Sequence, residues 1–311
     1  MNRGRSPCRF FMSDLVGQRL GNYRLVRLLG QGGFAAVYLG EHVYLGSRTA
    51  VKVLAGPLAQ EGAGDFVKEA RTLAQLIHPH IIRLLDYGVE TGIPFLVMDF
   101  APGGTLRKRH PRGEVLALTT VASYVHQVAE ALQYAHDRRL VHRDVKPANL
   151  LLGRSGEVLL GDFGIALLSQ SSRTPAAAGS AGTITYMAPE QIQGTPRRAS
   201  DQYALGVTVY EWLAGHPPFT GPFAEIAARH CYAPPPPLCA SAAGIPGAVE
   251  QVVLRALSKL PEQRFPTMLA FASALELAAA GALDETTLPV SASTPPGGGW
   301  RLEDDFEGRS R

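Results

Sequence analysis

One feature limits what this chain can fold into more than any other: its apolar residues change period near "APGGTL", residues 101–106. Before that point "YRLVRLLG", "AAVYLGEHV" and "RTAVKVLA" are β-favouring runs separated by glycine or turn residues, which predicts short strands. "IIRLLDYGVETGIPFLVMDF" adds two more, joined by a glycine-containing turn. A single interruption, "GDFVKEARTLAQLI", sets Phe66, Ala70, Leu73, Ala74 and Ile77 at helical spacing. Beyond residue 106 the spacing turns helical. "VASYVHQVAEALQYAHDRR" places Val121, Val125, Val128, Ala129 and Leu132 on one face. "SDQYALGVTVYEWLAG", "GAVEQVVLRALSKL" and "AFASALELAAAG" read as further helices, the first almost apolar enough to lie in a core. The expected class is therefore α+β: a small β-rich part with one helix, then a larger, mainly helical part.

At 311 residues the chain is long for one compact core, which agrees with two lobes. Its 30 basic residues nearly balance 27 acidic ones, and the resulting +3 gives no footprint for nucleic acid. Cys8, Cys231 and Cys239 are odd in number and lack metal-ligand spacing, so free thiols in a reducing cytoplasm are expected, with a Cys231–Cys239 disulfide as the lesser option. No window holds the ~18 consecutive apolar residues needed to span a bilayer. The basic start lacks an apolar stretch of signal-peptide length. "SQSSRTPAAAGSAGT" (169–183) reads as a mobile loop by composition. The end from about Gly281, with "SASTPPGGG" before an acidic-basic stretch, reads as linker or disorder.

Several polar stretches ask for a chemical explanation. "GQGGFAAV" (Gly30 to Val37) lies between two strands rather than between a strand and a helix, which argues against a dinucleotide or P-loop site. As a flap, its Gly30, Gly32 and Gly33 would let backbone amides approach phosphate oxygens; a plain flexible hairpin is the bland alternative. Lys52, in "TAVKV", has apolar neighbours on both sides. A strand lysine usually points to water, and one that faces inward needs a carboxylate, for which Glu69 is the candidate. "VHRDVKPANLLL" (141–152) then sets a histidine, an arginine, an aspartate, a lysine and an asparagine against an apolar run. It is either a solvated turn or a reaction centre on a rigid edge. Asn149, with Asp162 across a short hairpin, supplies the hard oxygens that magnesium prefers. Asp144 is then free to accept a hydrogen bond from an attacking hydroxyl, and Lys146 to neutralise a transferred phosphoryl group. Singly, each of these residues also serves as an ordinary turn-former or cap. In this order, together, they do not.

At these residues the chain resembles the eukaryotic-type protein kinases, specifically the serine/threonine kinases widespread in bacteria. The likeness covers roughly residues 21–280 and rests on "LGQGGFAAVYLG", "TAVKVL", the "EARTL" helix, "HRDVKPANLLL", "GDFGIA", "GTITYMAPEQ", "SDQYALGVTVYEWLAG" and "LPEQRFPT". It implies a bilobal kinase fold, with a small lobe over about 21–101 and a large lobe over about 102–280. Residues 1–20 would be a flexible extension and 281–311 a disordered or linker tail. The implied activity is transfer of the ATP γ-phosphoryl group to protein serine or threonine hydroxyls, with Mg2+ as cofactor and Mn2+ as a substitute. Leu29, Gly30, Gln31, Gly32 and Gly33 would cover the phosphates. Val37 and Ala50 would roof the adenine, with Leu151 as its floor. Met98 would be the gatekeeper, followed by a hinge from Asp99 to Ala101. Lys52 would hold the α- and β-phosphates and pair with Glu69. Asp144 would be the catalytic base, Lys146 the γ-phosphate contact, and Asn149 and Asp162 the metal ligands. Thr183 would buttress Asp144 and Lys146.

The resemblance also assigns architecture. Glu190 and Arg264 would form a buried ion pair, and Asp201 would bind the backbone near His142 and Arg143. Leu73, Leu84, His142 and Phe163 would stack as a column between the lobes. Arg143 would capture a phosphate added between Asp162 and Glu190, with Thr174 and Ser180 the expected autophosphorylation sites. One position departs from the family: Ala35 replaces the third glycine of the flap, at a cost of ~1 kcal/mol if positive φ is required there. The resemblance is compatible with a transient homodimer. The alternative reading is a pseudokinase or nucleotide-binding signalling scaffold, which the presence of Lys52, Asp144, Asn149 and Asp162 argues against.

Overall fold

A computed structural model describes residues 15–32, 35–54, 70–163, 184–241 and 244–287, the last six without side-chain detail. Alternation in the first hundred residues builds a six-stranded antiparallel sheet. Its strands are β1 (Arg19–Leu20), β2 (Tyr23–Gln31), β3 (Ala35–His42), β4 (Arg48–Leu54), β5 (Leu84–Glu90) and β6 (Ile93–Asp99), in the order β1-β2-β3-β4-β6-β5. Period two divides the sheet's faces. One face carries Ala36, Tyr38, Val51, Val53, Phe95 and Val97, all buried against Leu15, Leu20 and Leu25. The other carries Val37, Ala50, Lys52, Leu96 and Met98, brought side by side by the pairs Val37↔Lys52, Lys52↔Leu96 and Ala50↔Met98. At about 1.5–3 kcal/mol for each large apolar side chain removed from water, the first face stabilises the sheet and so fixes where the second must look.

Two boundaries differ from the sequence reading. Residues 15–20 are part of the packed lobe, since Leu15 and Leu20 are buried and β1 pairs with β2. A strand of two residues is too short to show a period, which is why the composition read as an extension. The helix expected in the small lobe is described over residues 70–74. Continuing its spacing to Ile77 fails: Leu76 is buried and Ile77 is 64% exposed. Pro79 disfavours helix at the residue before it, and the chain turns at Gln75.

The large lobe is built on α2 (Leu118–Asp137), following the short α1 (Leu106–Arg109). All five residues expected on the inner face of α2 are essentially inaccessible. A hairpin of β7 (Leu150–Leu152) and β8 (Val158–Leu160) lies against α2, with the Gln127 Oε1 accepting from the Val158 amide at 2.7 Å. Then come α3 (Pro189–Ile192) and α4 (Arg198–Ala214), the latter buried at every position from Ser200 to Ala214. The chain continues through α5 (Phe223–Tyr232), α6 (Leu238–Ser241), α7 (Gly247–Ala256), a 3-10 turn (Pro261–Gln263) and α8 (Met268–Thr287). Helix α8 packs along α2, where Glu276 meets His126 at 2.8 Å. The architecture is a β-rich small lobe joined to a helical large lobe. Cys231 and Cys239 are free thiols. No helix among the described residues is long and apolar enough to cross a membrane.

Candidate active site

The two lobes bring Lys52, Asp144, Lys146, Asn149 and Asp162 together. Lys52 projects from β4 on the open face of the sheet and its Nζ lies 2.8 Å from Asp162 Oδ1, which belongs to the large lobe. Burial alone would raise the Asp162 carboxyl. The charge and hydrogen bond of Lys52, with smaller contributions from His142 and Lys146, outweigh it and hold the group below the ordinary carboxylate range. Asp162 therefore stays anionic, with 37% of its side chain still exposed.

The loop between α2 and β7 is fixed from beneath. Asp201, 1% exposed on α4, accepts three hydrogen bonds: from the His142 amide (2.9 Å), the Arg143 amide (2.7 Å) and His136 Nε2 (2.7 Å). His142 is itself inaccessible. Its Nε2 donates to the Gly161 carbonyl at 2.8 Å, and its Nδ1 accepts from the Asp144 amide at 3.2 Å, so this network selects the Nε2–H tautomer. Arg143 and Asp162 both have left-handed backbones, at φ 67° and 59°. Non-glycine residues persist there only when their surroundings over-determine them, and such strain gathers at functional sites.

Asp144 is not as free as its sequence position implies. Its Oδ1 lies 2.8 Å from Lys146 Nζ, and its Oδ2 accepts from Asn149 Nδ2 at 2.8 Å. Asn149 Nδ2 also donates to the Asp144 carbonyl at 2.7 Å. This orients the Asn149 amide with its nitrogen committed to Asp144, which leaves its oxygen outside those two bonds. One amide oxygen and one ionised carboxylate across the β7–β8 hairpin are hard donors of the kind that holds Mg2+, so the residues present fit such an ion.

The other predicted positions fall around the same cleft. Gly30 and Gly32 are exposed at the end of β2, and the Gly32 amide closes the turn onto the Ala35 carbonyl at 2.8 Å. A Cβ on Gly30 would meet nothing within 4 Å, so packing does not require a glycine there. Ala35 starts β3 and is not among the positive-φ residues, so the anticipated penalty does not arise. The Leu29 carbonyl accepts from Lys108 Nζ of α1 (3.1 Å), and Gln31 is exposed nearby. Val37 and Ala50 share the Lys52 face of the sheet. Leu151 is half-buried on β7. Met98 packs with Ala70, Leu84, Leu96, Leu73 and Tyr87. Asp99 is exposed, with its amide bonded to the Arg83 carbonyl (3.0 Å), and Ala101 is buried. Gly33, Glu69, Thr174, Ser180 and Thr183 lie outside the described residues.

The architectural residues meet as well. Arg264 grips Glu190 with both terminal nitrogens, at 2.8 and 2.9 Å, and Ser200 donates to the same carboxylate at 2.7 Å. Burial would raise the Glu190 carboxyl, but Arg264 and Ser200 hold it below its ordinary value. His142 and Phe163 stack at 4.7 Å, while Leu73 packs against both the cluster containing Leu84 and the large-lobe core containing Phe163. Two buried groupings were not anticipated. Arg107 of α1 holds Glu211 of α4 at 2.8 and 2.9 Å, and both meet the Tyr186 hydroxyl. His230 receives the Tyr203 hydroxyl on Nδ1 (2.9 Å) and donates from Nε2 to the Thr185 carbonyl (3.0 Å). The one available sequence signal was Glu211, a charge inside an otherwise apolar helix.

Such a cleft, with a glycine flap above, a lysine–aspartate pair across it and an aspartate–lysine–asparagine loop below, defines a nucleotide-directed phosphotransfer class. Sequence comparison agrees. The family described as "Protein kinase domain" matches residues 23–265. Pkn1, a serine/threonine-protein kinase of Myxococcus xanthus, is 43% identical over 295 residues, covering 91% of this chain and 41% of that protein. PrkC of Bacillus subtilis is 34% identical over 258 residues (81% and 40%), and PknF of Mycobacterium tuberculosis 37% over 297 (90% and 62%); both also bear the name serine/threonine-protein kinase. The chain belongs to the protein kinase family, among the eukaryotic-type serine/threonine kinases of bacteria. It spans between 40% and 62% of the length of these relatives.

Proposed function

We propose that this chain transfers the γ-phosphoryl group of ATP to serine and threonine hydroxyls of proteins, including its own segment between Asp162 and Glu190. The observation that supports it most is the convergence of Lys52, Asp144, Lys146, Asn149 and Asp162, from separate elements of both lobes, on one cleft. Asn149 and Asp162 would hold Mg2+, with Mn2+ as a substitute, and the ion would neutralise charge on the phosphates. Lys52 would orient the α- and β-phosphates, with Glu69 as its further partner. The flap from Leu29 to Gly33 would cover them, while Val37, Ala50, Met98, the Asp99–Ala101 backbone and Leu151 would enclose the base. Asp144 would align the acceptor hydroxyl and take its proton, with Lys146 and Thr183 fixing that geometry. Positioning and charge neutralisation carry most of such a reaction, because its transition state needs little covalent help.

Arg143 supports regulation by phosphorylation at Thr174 or Ser180. Its Nε is buried and has no hydrogen-bond partner among the described residues, which leaves it available to an anion. We place the domain's working limits near residues 15–280, the protein in the cytoplasm, and a transient homodimer as the route by which one copy's loop reaches another's cleft.

The test is a mass-shift assay with Mg-ATP and a generic basic protein as acceptor. Wild type should phosphorylate both the acceptor and itself at Thr174 or Ser180, and Asp144→Asn should be slower by about 10²–10⁴-fold. Wild-type protein that binds ATP and transfers nothing would contradict the proposal.

A further inference from the structure

Behind the hinge, on the outer side of Asp99, lies an open cavity of about 380 Å³ that the phosphotransfer reading does not use. Both lobes form it. Arg48 and Asp99 come from paired strands of the sheet, Arg83 precedes β5, and Arg154, Glu157 and Leu159 belong to the β7–β8 hairpin. Its walls are apolar at Ile77, Ile82, Phe100 and Leu159, and Ile77 is left 64% exposed at the rim. The β3–β4 hairpin adds Tyr44 and Leu45, 77% and 76% exposed, at the same end of the sheet.

The charge in this cavity is unbalanced. Among the described residues no hydrogen bond or ion pair engages the guanidinium groups of Arg48, Arg83 or Arg154. The two acids present are partly committed, since Glu157 accepts from the Ser155 amide (2.8 Å) and Asp99 faces Arg83. A suitable occupant would therefore be acidic and carry large apolar anchors.

The chain supplies one. "WRLEDDFE", residues 300–307, interleaves Trp300, Leu302 and Phe306 with four carboxylates, at 303, 304, 305 and 307, against one arginine. The path is short enough. Glu276 of α8 bonds His126 of α2, and on the next residue Gln127 holds Val158, the immediate neighbour of cavity residues Glu157 and Leu159. Helix α8 runs eleven residues past Glu276 to Thr287, about 16 Å of axis. Thirteen further residues to Trp300 reach up to about 43 Å when extended, and they include the "PPGGG" spacer.

We propose that residues 300–307 dock in cis into this cavity, with the acidic side chains on Arg48, Arg83 and Arg154 and the apolar ones against its walls. A tether of this length gives an effective concentration in the millimolar range, so even a 0.1 mM intrinsic affinity leaves the segment about 90% docked.

The chain has two tryptophans, Trp300 and Trp212, and Trp212 is 2% exposed, so acrylamide quenching of the full chain reports Trp300. In wild type Trp300 should be about tenfold less quenchable than in a free peptide of residues 300–307, independent of protein concentration. Both the Arg48→Glu/Arg83→Glu/Arg154→Glu chain and the Glu303→Arg/Asp304→Arg/Asp305→Arg chain should lose that shielding, the latter without touching the folded domain. Combining the two sets should restore it. Peptide-like quenching in wild type, shielding that survives either reversal, or failure of the combined swap to restore it would overturn the proposal. Shielding that disappears on dilution would assign the contact to a second copy and overturn docking in cis.

Discussion

The two lobes hold their functional residues by different physics. Among the described residues, Thr49 is the one non-aromatic polar side chain buried in the small lobe, whose cleft residues are placed by strand register alone. The large lobe buries Glu190, Asp201, Gln202, Glu211, His230 and Arg264, each with its hydrogen bonds satisfied, and hangs its site on them. The flap stands apart from both lobes' packed parts. Gly103 and Gly161 are close-packed, as Gly40 and Gly88 of the sheet are, whereas a Cβ on Gly30 would meet nothing within 4 Å and one on Gly32 only the Ala35 carbonyl at 3.8 Å. A register-built lobe can flex along its strands without losing a polar contact. A lobe built on buried hubs cannot, because each broken bond leaves an unpaired group in low dielectric. Rigid chemistry below and an adaptable cover above follow from this division.

The largest expected effect comes from removing a hub. Asp201→Ala leaves three buried donors without an acceptor and should cost about 3–5 kcal/mol in urea unfolding, with loss of phosphoryl transfer. If stability barely changed, the large lobe would not depend on its polar core. His230 gives a pH test of the same idea. Burial lowers its imidazole to about 4, while in the unfolded chain it takes a proton near 6.5. As pH falls below 6.5 the unfolded state binds a proton that the fold refuses. Stability from this site is therefore intact above 6.5 and falls by about 3 kcal/mol by pH 4. Unfolding curves at pH 7 and 5 should show a steeper loss for wild type than for His230→Gln.

Glycine substitutions sharpen the contrast. In Gly103→Ala the new Cβ would sit 2.5 Å from the Leu152 Cβ and 2.8 Å from its backbone oxygen, and the change should lower stability by about 1–3 kcal/mol. Gly32→Ala should leave the melting temperature nearly unchanged and raise only KM for ATP, by several-fold, as expected when a backbone must approach phosphate closely. Equal destabilisation by the two would erase the distinction between the flap and the packed frame of the site.

This division also explains what the sequence could tell. Runs of β-favouring residues between turns made the small lobe legible, and helical spacing put all five inner-face residues of α2 in the core. Both signals are local. The hubs are not: Glu211 stands out as a charge in an apolar helix and His230 and Asp201 look like ordinary helical polar residues, but the partners of all three, 25 to 104 residues away, meet them only in the fold. Asp201 and the Glu190–Arg264 pair were foreseen through family resemblance, whereas Tyr186–Arg107–Glu211 and His230 were not. Leu15 and the end of the helix near Leu76 were misplaced for a related reason, since two or three residues carry no measurable period. The site itself was readable as a set of residue types, but the commitment of Asp144 to Lys146 and Asn149 emerged only in three dimensions.

The most direct test of the central claim is the anomalous scattering of Mn2+ in a crystal of this chain grown with a non-hydrolysable ATP analogue. A metal peak is expected in ligating distance of Asn149 Oδ1 and the Asp162 carboxylate, with the triphosphate reaching Lys52 beneath the Gly30–Gly32 flap. A nucleotide seated elsewhere, or a metal that leaves both of those residues unligated, would contradict it.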